Sequence, residues 1–174
     1  MDVRPLAERL ISYDTSAPDQ LRAAAAFVKG WLEARSVTVM ERDFDGLPVL
    51  VAHAGGRADG SQAAEIIFHG HLDVVPAREG QFDPRVEGDR LIGRGAYDMK
   101  GGLAAMMCAM HDATQQSDVR VTLVCVPDEE SEDVERRSTD VLVAEGLRGD
   151  FAITGEPTDL HIGVQAKVVL AIRV

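Results

Sequence analysis

The stretch FHGHLDVVPA, residues 68–77, joins an apolar run to two histidines and an aspartate. The run AEIIF at residues 64–68 is typical of a buried β-strand, because it is short and apolar and contains β-branched residues. Gly, Pro or Asn would be ordinary residues at the end of such a strand, whereas this one is followed by His69, His71 and Asp73. These side chains bind metals or transfer protons, so the end of the strand is a candidate functional site.

Outward from this stretch, strand patterns alternate with helix patterns, which predicts an α/β fold. We expect a three-layer α/β/α arrangement with a mixed, largely parallel sheet and helices on both faces. Helices are predicted at residues 3–12, 18–35, 100–116 and 138–147. Strands are predicted at residues 37–40, 47–54, 64–68, 119–126 and 150–154, with a hairpin at 86–93 around Gly88 and Asp89.

The composition limits the classes of function. The chain has 174 residues, 45% of them hydrophobic, which is enough for the core of one domain. Its net charge of −11 argues against a nucleic-acid partner and suits cation binding. Cys108 and Cys125 lie in apolar runs without a CxxC pair, so we expect buried thiols in a reducing compartment. Because no signal peptide or apolar run of ~20 residues is visible, we expect a soluble, cytoplasmic protein without a membrane partner.

Acidic residues lie near the ends of the other predicted strands. Glu129 and Glu130 follow the strand at 119–126, and Glu156 follows the strand at 150–154. The carboxyl ends of parallel strands lie at one edge of a sheet, so these carboxylates are expected to converge with the histidine. Packed carboxylates repel one another unless a cation neutralises them. Imidazole with carboxylates is a normal ligand set for zinc or a similar divalent metal.

Each of these residues taken alone has a simpler interpretation. A carboxylate after a strand is often a helix cap or a solvated charge, which is our interpretation of Glu132, Asp133 and Glu135. Lys100 is interpreted as a surface charge. Gly101 and Gly102 fit either plain turn geometry or a helix start that orients an anion.

The remaining histidines are interpreted as ordinary polar residues. His69 could pair with His71 at a metal, since residues i and i+2 of a strand face the same way, but we favour a non-ligand role. A lone histidine near a sheet is usually satisfied by a polar neighbour, which is our interpretation of His53, His111 and His161.

Four motifs occur in the order GHLDVVP, GRGAYDMKGG, PDEES and TGEPT. Together they resemble the dinuclear zinc amidohydrolases and exopeptidases that include aminoacylase, carboxypeptidase G, acetylornithine deacetylase and succinyl-diaminopimelate desuccinylase. The resemblance extends from about residue 64 to 165. It implies a zinc-exopeptidase-like catalytic domain with two divalent metal ions, zinc first, with cobalt or manganese as alternatives.

The resemblance also implies roles for individual residues. Asp98 would bridge the two ions, His71 and Glu156 would complete one site, and Glu130 would serve the other. Glu129 would be the general acid/base and Asp73 would orient His71. The pattern agrees with this last role, because i and i+2 in an extended segment face the same way, so Asp73 can accept the second ring N–H of His71.

The implied activity is hydrolysis of the amide bond of an N-acyl amino acid by a metal-activated water. The segments TGEPT and IGVQAK favour the deacetylase and desuccinylase branch of the family. A dipeptidase or carboxypeptidase of the same family is the alternative, and a non-catalytic binding module on the same scaffold is a rival from another class.

The resemblance further predicts how the chain is organised. Residues 1–165 would form the N-terminal part of the catalytic domain, and residues 166–174 would begin a lid and dimerisation domain that this sequence cuts short. The family takes a fifth metal ligand, a histidine, from a later segment, and none of the five histidines here occupies its place. We therefore expect residues 1–174 alone to bind at most one metal ion tightly and to turn over poorly. A homodimer would form through the lid.

Overall fold

The computed structural model of the chain describes residues 1–56, 63–131, 136–159 and 161–162. The predicted lid start at 166–174 and the predicted acidic turn at 132–135 lie outside the described residues. Within the described ranges, each helix is too short or too polar to span a bilayer. The helices are α1 (Arg4–Ile11), α2 (Pro18–Glu33), α3 (Gly101–Ala113) and α4 (Ser138–Ala144). The strands are β1 (Thr38–Phe44), β2 (Leu47–Gly55), β3 (Ala64–His71), β4 (Arg85–Glu87), β5 (Arg90–Ile92), β6 (Val119–Val126) and β7 (Phe151–Thr154).

Five strands form one mixed sheet in the order β1-β2-β6-β3-β7. The pairs β1/β2 and β2/β6 are antiparallel, and β3 pairs in parallel with both β6 and β7. The carboxyl ends of β3, β6 and β7 therefore lie at one edge of the sheet, where ligand sites of α/β sheets occur. Strands β4 and β5 form the predicted hairpin, and Gly88 adopts a φ of 64°, which favours glycine.

Helices cover both faces of the sheet, which confirms the three-layer prediction. Helices α1, α2 and α3 pack on one face against core residues such as Leu50 and Leu123. Helix α4 covers the other face, where Leu142 packs with Val49 and Val124. The connection from β3 to β6 passes through α3, and the connection from β6 to β7 passes through α4 in the opposite direction across the sheet. Crossovers of the same hand then place the two helices on opposite faces.

Strands β1 and β3 extend well beyond their predicted carboxyl ends. Strand β3 continues beyond residue 68 because its ladder with β6 extends through His71, which pairs with Val126. Backbone pairing with the buried strand β6 thus extends β3 through residues whose polar side chains are not typical of a buried strand. Strand β1 extends to Phe44 because Asp45 and Gly46, with φ values of 50° and 81°, form a two-residue hairpin loop.

Candidate metal centre

His71 is the centre of the candidate site. It is the last residue of β3 and has no exposed surface. Its Nε2 lies 3.1 Å from Asp98 Oδ1 and 3.9 Å from Glu156 Oε1. Its Nδ1 lies 2.9 Å from the backbone carbonyl of Asp73, and because a carbonyl only accepts, Nδ1–H is the donor. The hydrogen bond at Nδ1 therefore aims Nε2 at the two carboxylates.

Asp73 contacts both the histidine and the loop after β6. Its carboxylate Oδ1 lies 3.4 Å from His71 Nδ1, so the backbone carbonyl is the closer acceptor for the ring. Its Oδ2 accepts the backbone N–H of Glu130 at 2.7 Å. Asp73 is buried, and Oδ1 has no hydrogen-bond partner among the described residues. Asp73 thus ties the position of His71 to that of Glu130.

Asp98 lies in an irregular helical turn, Ala96–Lys100, that leads into α3. Its φ and ψ of −125° and 100° are not helical, and the Asp98–Met99 peptide bond is cis. Met99 is fully buried, and its Sδ accepts the backbone N–H of His71 at 3.3 Å. The buried methionine therefore anchors the turn beneath β3, while the Asp98 side chain stays 48% exposed beside the imidazole.

Glu156 is held near His71 by close packing of glycines. The residue before it, Gly155, donates its N–H to the carbonyl of His69 at 3.4 Å. A Cβ on Gly102, in the first turn of α3, would lie 2.6 Å from the carbonyl oxygen of Gly155. Gly102 is thus required for the close approach of α3 to the Glu156 loop. A Cβ on Gly101 would similarly lie 2.5 Å from the carbonyl oxygen of Ala96, within the turn.

Glu129 and Glu130 follow β6 in a loop that Asp128 holds in place. Asp128 is buried, and its carboxylate accepts the backbone N–H and the hydroxyl of Ser138, at 2.6 and 2.7 Å. This pair caps the N-terminus of α4. The guanidinium of Arg137 contacts the backbone carbonyls of Asp128 and Glu129. Sequence reasoning missed Asp128, because its partner lies ten residues later and no local pattern links the two.

The structure brings the site residues together in two groups that share His71. The first contains His71, Asp98 and Glu156, and the second contains His71, Glu129 and Glu130. Within each group, one ligand atom of each residue lies within 4.8 Å of the others. The first group has the same members as one of the two sites implied by the resemblance. Glu129, the implied acid/base, is an exposed member of the second group, which does not contain Asp98, the implied bridging residue.

The electrostatics of the site match a divalent cation. Burial raises the pKa of Glu130, and the nearby charge of Asp98 raises it further. Burial also raises the pKa of Glu156, with His71 lowering it and Asp98 raising it. Glu130 and Glu156 are partly buried, and the carboxylates of the site repel one another. A bound cation would offset this repulsion. Imidazole nitrogen and carboxylate oxygens are the donor set that zinc takes in proteins, so the residues fit such an ion.

The charge state of His71 is set mainly by its burial and by Asp73. Burial alone lowers the pKa of the imidazole, but the hydrogen bond and negative charge of Asp73 outweigh it and raise the pKa to about 9. The ring is then protonated at neutral pH, and Nε2–H donates to Asp98 Oδ1. A metal ion at Nε2 has to displace this proton.

The other histidines among the described residues stay outside both groups. His69 Nε2 lies 2.9 Å from Thr139 Oγ1, and burial lowers its pKa. His53 Nδ1 lies 3.0 Å from Thr122 Oγ1, and burial lowers its pKa as well. His69 and His53 thus have the polar neighbours expected of non-ligand residues. The same expectation is wrong for His111, whose buried Nδ1 has no hydrogen-bond partner among the described residues.

The prediction that Lys100 is a surface charge is wrong. Its side chain is fully buried, and Nζ donates to the backbone carbonyl of Tyr13 at 2.8 Å. Burial lowers the pKa of Lys100 to about 7, although Asp14 and Asp73 raise it. Because the residue lies in an irregular turn, no periodic pattern in the sequence could have indicated its burial.

Comparison with known proteins places the chain among metal-dependent peptidases and their relatives. The family model described as "Peptidase family M20/M25/M40" matches residues 67–170. A succinyl-diaminopimelate desuccinylase of Erythrobacter litoralis is 38% identical over 100 residues, which are 54% of this chain and 26% of that protein. An N-formyl-4-amino-5-aminomethyl-2-methylpyrimidine deformylase of Bacillus subtilis is 30% identical over 173 residues, which are 94% of this chain and 40% of that protein. The chain thus spans less than half the length of these relatives.

Solved structures share the fold. Human carnosine dipeptidase 1 superposes with a TM-score of 0.73 at 22% sequence identity, over 87% of this chain and 37% of that one. At this identity the likeness supports the fold, a mixed sheet with helices on both faces, and no particular substrate.

Proposed function

Since the chain belongs to peptidase family M20/M25/M40, we propose that it supplies the metal ligands and the proton-transfer group of an amide hydrolase. The observation that carries the proposal is the position of His71 Nε2, which lies 3.1 Å from Asp98 and 3.9 Å from Glu156 at the carboxyl edge of the sheet. The roles of these side chains, the two-metal stoichiometry and the choice of zinc are all part of the proposal.

In this proposal His71, Asp98 and Glu156 hold one divalent ion, and Asp98 with Glu130 holds a second. Such ions polarise an amide carbonyl and lower the pKa of a water toward neutrality. Asp73 accepts Nδ1–H of His71 through its backbone carbonyl, which leaves Nε2 as the ligand atom. It also fixes the Glu130 loop through the 2.7 Å hydrogen bond to the Glu130 N–H.

Glu129 is the proposed general acid/base. Its carboxylate is exposed, and one carboxylate oxygen lies within 4.8 Å of candidate ligand atoms of His71 and Glu130. Arg137 contacts the backbone carbonyl of Glu129 and not its carboxylate. Adjacent side chains in an extended loop diverge, so Glu130 can hold an ion while Glu129 faces substrate and water. Glu129 takes a proton from the attacking water, whose oxygen forms the new bond to the acyl carbon. It then gives that proton to the amine nitrogen as the C–N bond breaks.

The proposed substrate is an N-acyl amino acid, cleaved by a deacetylase or desuccinylase type of reaction. The names of the relatives, a desuccinylase and a deformylase, both describe removal of an acyl group from nitrogen. A dipeptidase or carboxypeptidase of the same family is the second candidate, because the family model that matches residues 67–170 is described as a peptidase family. Both reactions break an amide bond with the same groups, so the site residues are common to them.

Hydrolysis assays of the complete protein, extended beyond residue 174, with N-succinyl, N-acetyl and N-formyl amino acids and with dipeptides test the proposal. Glu129→Gln should retain its metal but lose at least ~100-fold in kcat, since general acid/base catalysis contributes about that much. Glu33→Gln, an exposed glutamate at the end of α2, is the matched control and should keep full activity. Unchanged kcat in Glu129→Gln would remove Glu129 from its role, and absence of hydrolysis of the whole panel would favour a binding module.

The setting and assembly of the protein are also proposed. Cys108 and Cys125 are free and buried, as suits a reducing compartment, so we place the protein in the cytoplasm. Residues 1–165 form part of the catalytic domain in this proposal, and residues 166–174 begin a lid through which two copies associate. Cell fractionation that finds the protein outside the cytoplasm, or light scattering that finds the complete protein with its lid to be a monomer, would contradict these points.

A further inference from the structure

Lys100 has no part in the proposed reaction, yet it is fully buried two residues after Asp98. Burying an amine costs several kcal/mol unless hydrogen bonds compensate it. Among the described residues, no carboxylate lies within ion-pair distance of Nζ, so no salt bridge offsets this cost. The position of this side chain therefore needs another explanation.

The amine of Lys100 instead contacts the loop between α1 and α2. Nζ donates to the backbone carbonyl of Tyr13 at 2.8 Å, and the Phe82 ring centroid lies 5.9 Å from Nζ. The Tyr13 carbonyl also accepts the backbone N–H of Thr15 at 3.0 Å. Lys100 and Thr15 thus meet at one acceptor.

Thr15 carries the connection on to His71. Its side chain is buried, and Oγ1 donates to the backbone carbonyl of Leu72 at 2.6 Å. Leu72 lies between His71 and Asp73, and its own N–H donates to the carbonyl of Val126 in β6. A chain of hydrogen bonds therefore runs from the Asp98 turn through Tyr13 and Thr15 to the end of β3.

The methylene groups of Lys100 are closely packed, so the side chain keeps a fixed position relative to the turn that contains Asp98. Gly95, with a φ of 77°, accepts the backbone N–H of Lys100 at 2.8 Å. A Cβ on Gly95 would lie 3.0 Å from Lys100 Cδ and 2.8 Å from Val74 Cγ1. Close packing of this kind leaves these methylene groups little room to shift relative to their own turn.

We propose that Lys100 is a positioning residue: with Thr15 it forms a buried brace that sets the separation of Asp98 and His71. This inference rests on the proposed function, because the separation matters only if both residues bind the same metal ion. Without the Nζ donor, the Asp98 turn keeps its contact through Met99 but loses its hydrogen bond to the α1–α2 loop. The carboxylate then approaches Nε2 in a wider range of geometries, which weakens metal binding.

The test uses cobalt(II) as a visible probe of the metal site. Affinity and the d–d absorption spectrum are measured for Lys100→Met, Thr15→Val and the double variant. We expect each single variant to lose about tenfold or more in cobalt affinity with altered bands, comparable to the loss of a ligand-supporting contact. The double variant should bind no worse than the weaker single, because both act through one brace.

Two controls separate bracing from general damage. Thr15→Ser keeps the hydroxyl and should keep the wild-type affinity and spectrum, which also covers the case in which Lys100→Met does not fold. Lys29→Met removes a partly exposed lysine paired with Glu41 and should change neither property. The brace proposal is wrong if Thr15→Val, or a folded Lys100→Met, keeps the wild-type affinity and spectrum. It is also wrong if the losses of affinity are additive in the double variant. Failure of the wild-type protein itself to bind cobalt would instead overturn the proposed function.

Discussion

Metal binding at His71 should depend steeply on pH. The pKa of His71 is about 9, so at pH 7 only about 1% of imidazoles are neutral. A metal ion has to displace the Nε2 proton that the ring donates to Asp98, so the apparent affinity at pH 7 should be about 100-fold below its limit at high pH. Zinc affinity, measured by competition with a chromophoric chelator, should rise about tenfold per pH unit between 6.5 and 8.5.

Calorimetry in buffers of different ionisation enthalpy counts the protons released and checks the same point. We expect about one proton per zinc ion at pH 7. His161→Gln removes an exposed histidine and should keep this value and the pH slope, whereas His71→Gln should abolish tight binding. A zinc affinity independent of pH over this range, with no proton released, would show that zinc does not displace a proton from His71.

Three further predictions concern stability and packing. The folded-state pKa of His71, about 9, exceeds its ordinary value of 6.5. Protonated His71 therefore stabilises the metal-stripped protein fully below pH 6.5, and this contribution is lost as the pH rises through 9. Urea unfolding should show that the free energy of unfolding decreases by at most about 3 kcal/mol over this range. Gly102→Ala forces a Cβ to within 2.6 Å of the Gly155 carbonyl oxygen and should cost about 1–3 kcal/mol in the free energy of unfolding and weaken zinc binding, whereas Gly30→Ala, with no atom within 4 Å, should be neutral or stabilising. In Asp128→Asn, one of the two donors of Ser138 loses its acceptor, because an amide has a single acceptor oxygen. The free energy of unfolding should fall by about 1–2 kcal/mol, and kcat should fall because the loop that carries Glu129 is less well held. Unchanged stability and kcat would contradict this.

Much of the fold could be predicted from local patterns. The apolar run at 119–126 became β6 with the predicted bounds, since a near-continuous apolar run is typical of a strand buried on both faces. The length of β3 could not be predicted, because the polar residues at its end are held by pairing with β6. The pair Asp45-Gly46 was a hairpin signal that would have extended β1 to Phe44.

The structure brings the predicted site residues to one edge of the sheet, although Glu129 rather than Asp98 lies in the group with Glu130. The metal-binding and catalytic roles of these residues stay a prediction, and the residues that support them were not predicted. Carboxylates placed after several strands indicated a common edge of the sheet, which is a property of topology. Asp128, Thr15 and Lys100 act through contacts with Ser138, Leu72 and Tyr13, which are distant in the sequence. Such pairings depend on how the loops pack in three dimensions, so a single sequence carries no pattern for them.

Diffraction at the zinc absorption edge from crystals of the zinc-loaded protein locates the metal ion relative to His71. We expect an anomalous peak about 2.0–2.2 Å from His71 Nε2 and from carboxylate oxygens of Asp98 and Glu156. A zinc peak bound by other residues, or zinc-loaded crystals with no peak between these three side chains, would contradict this expectation.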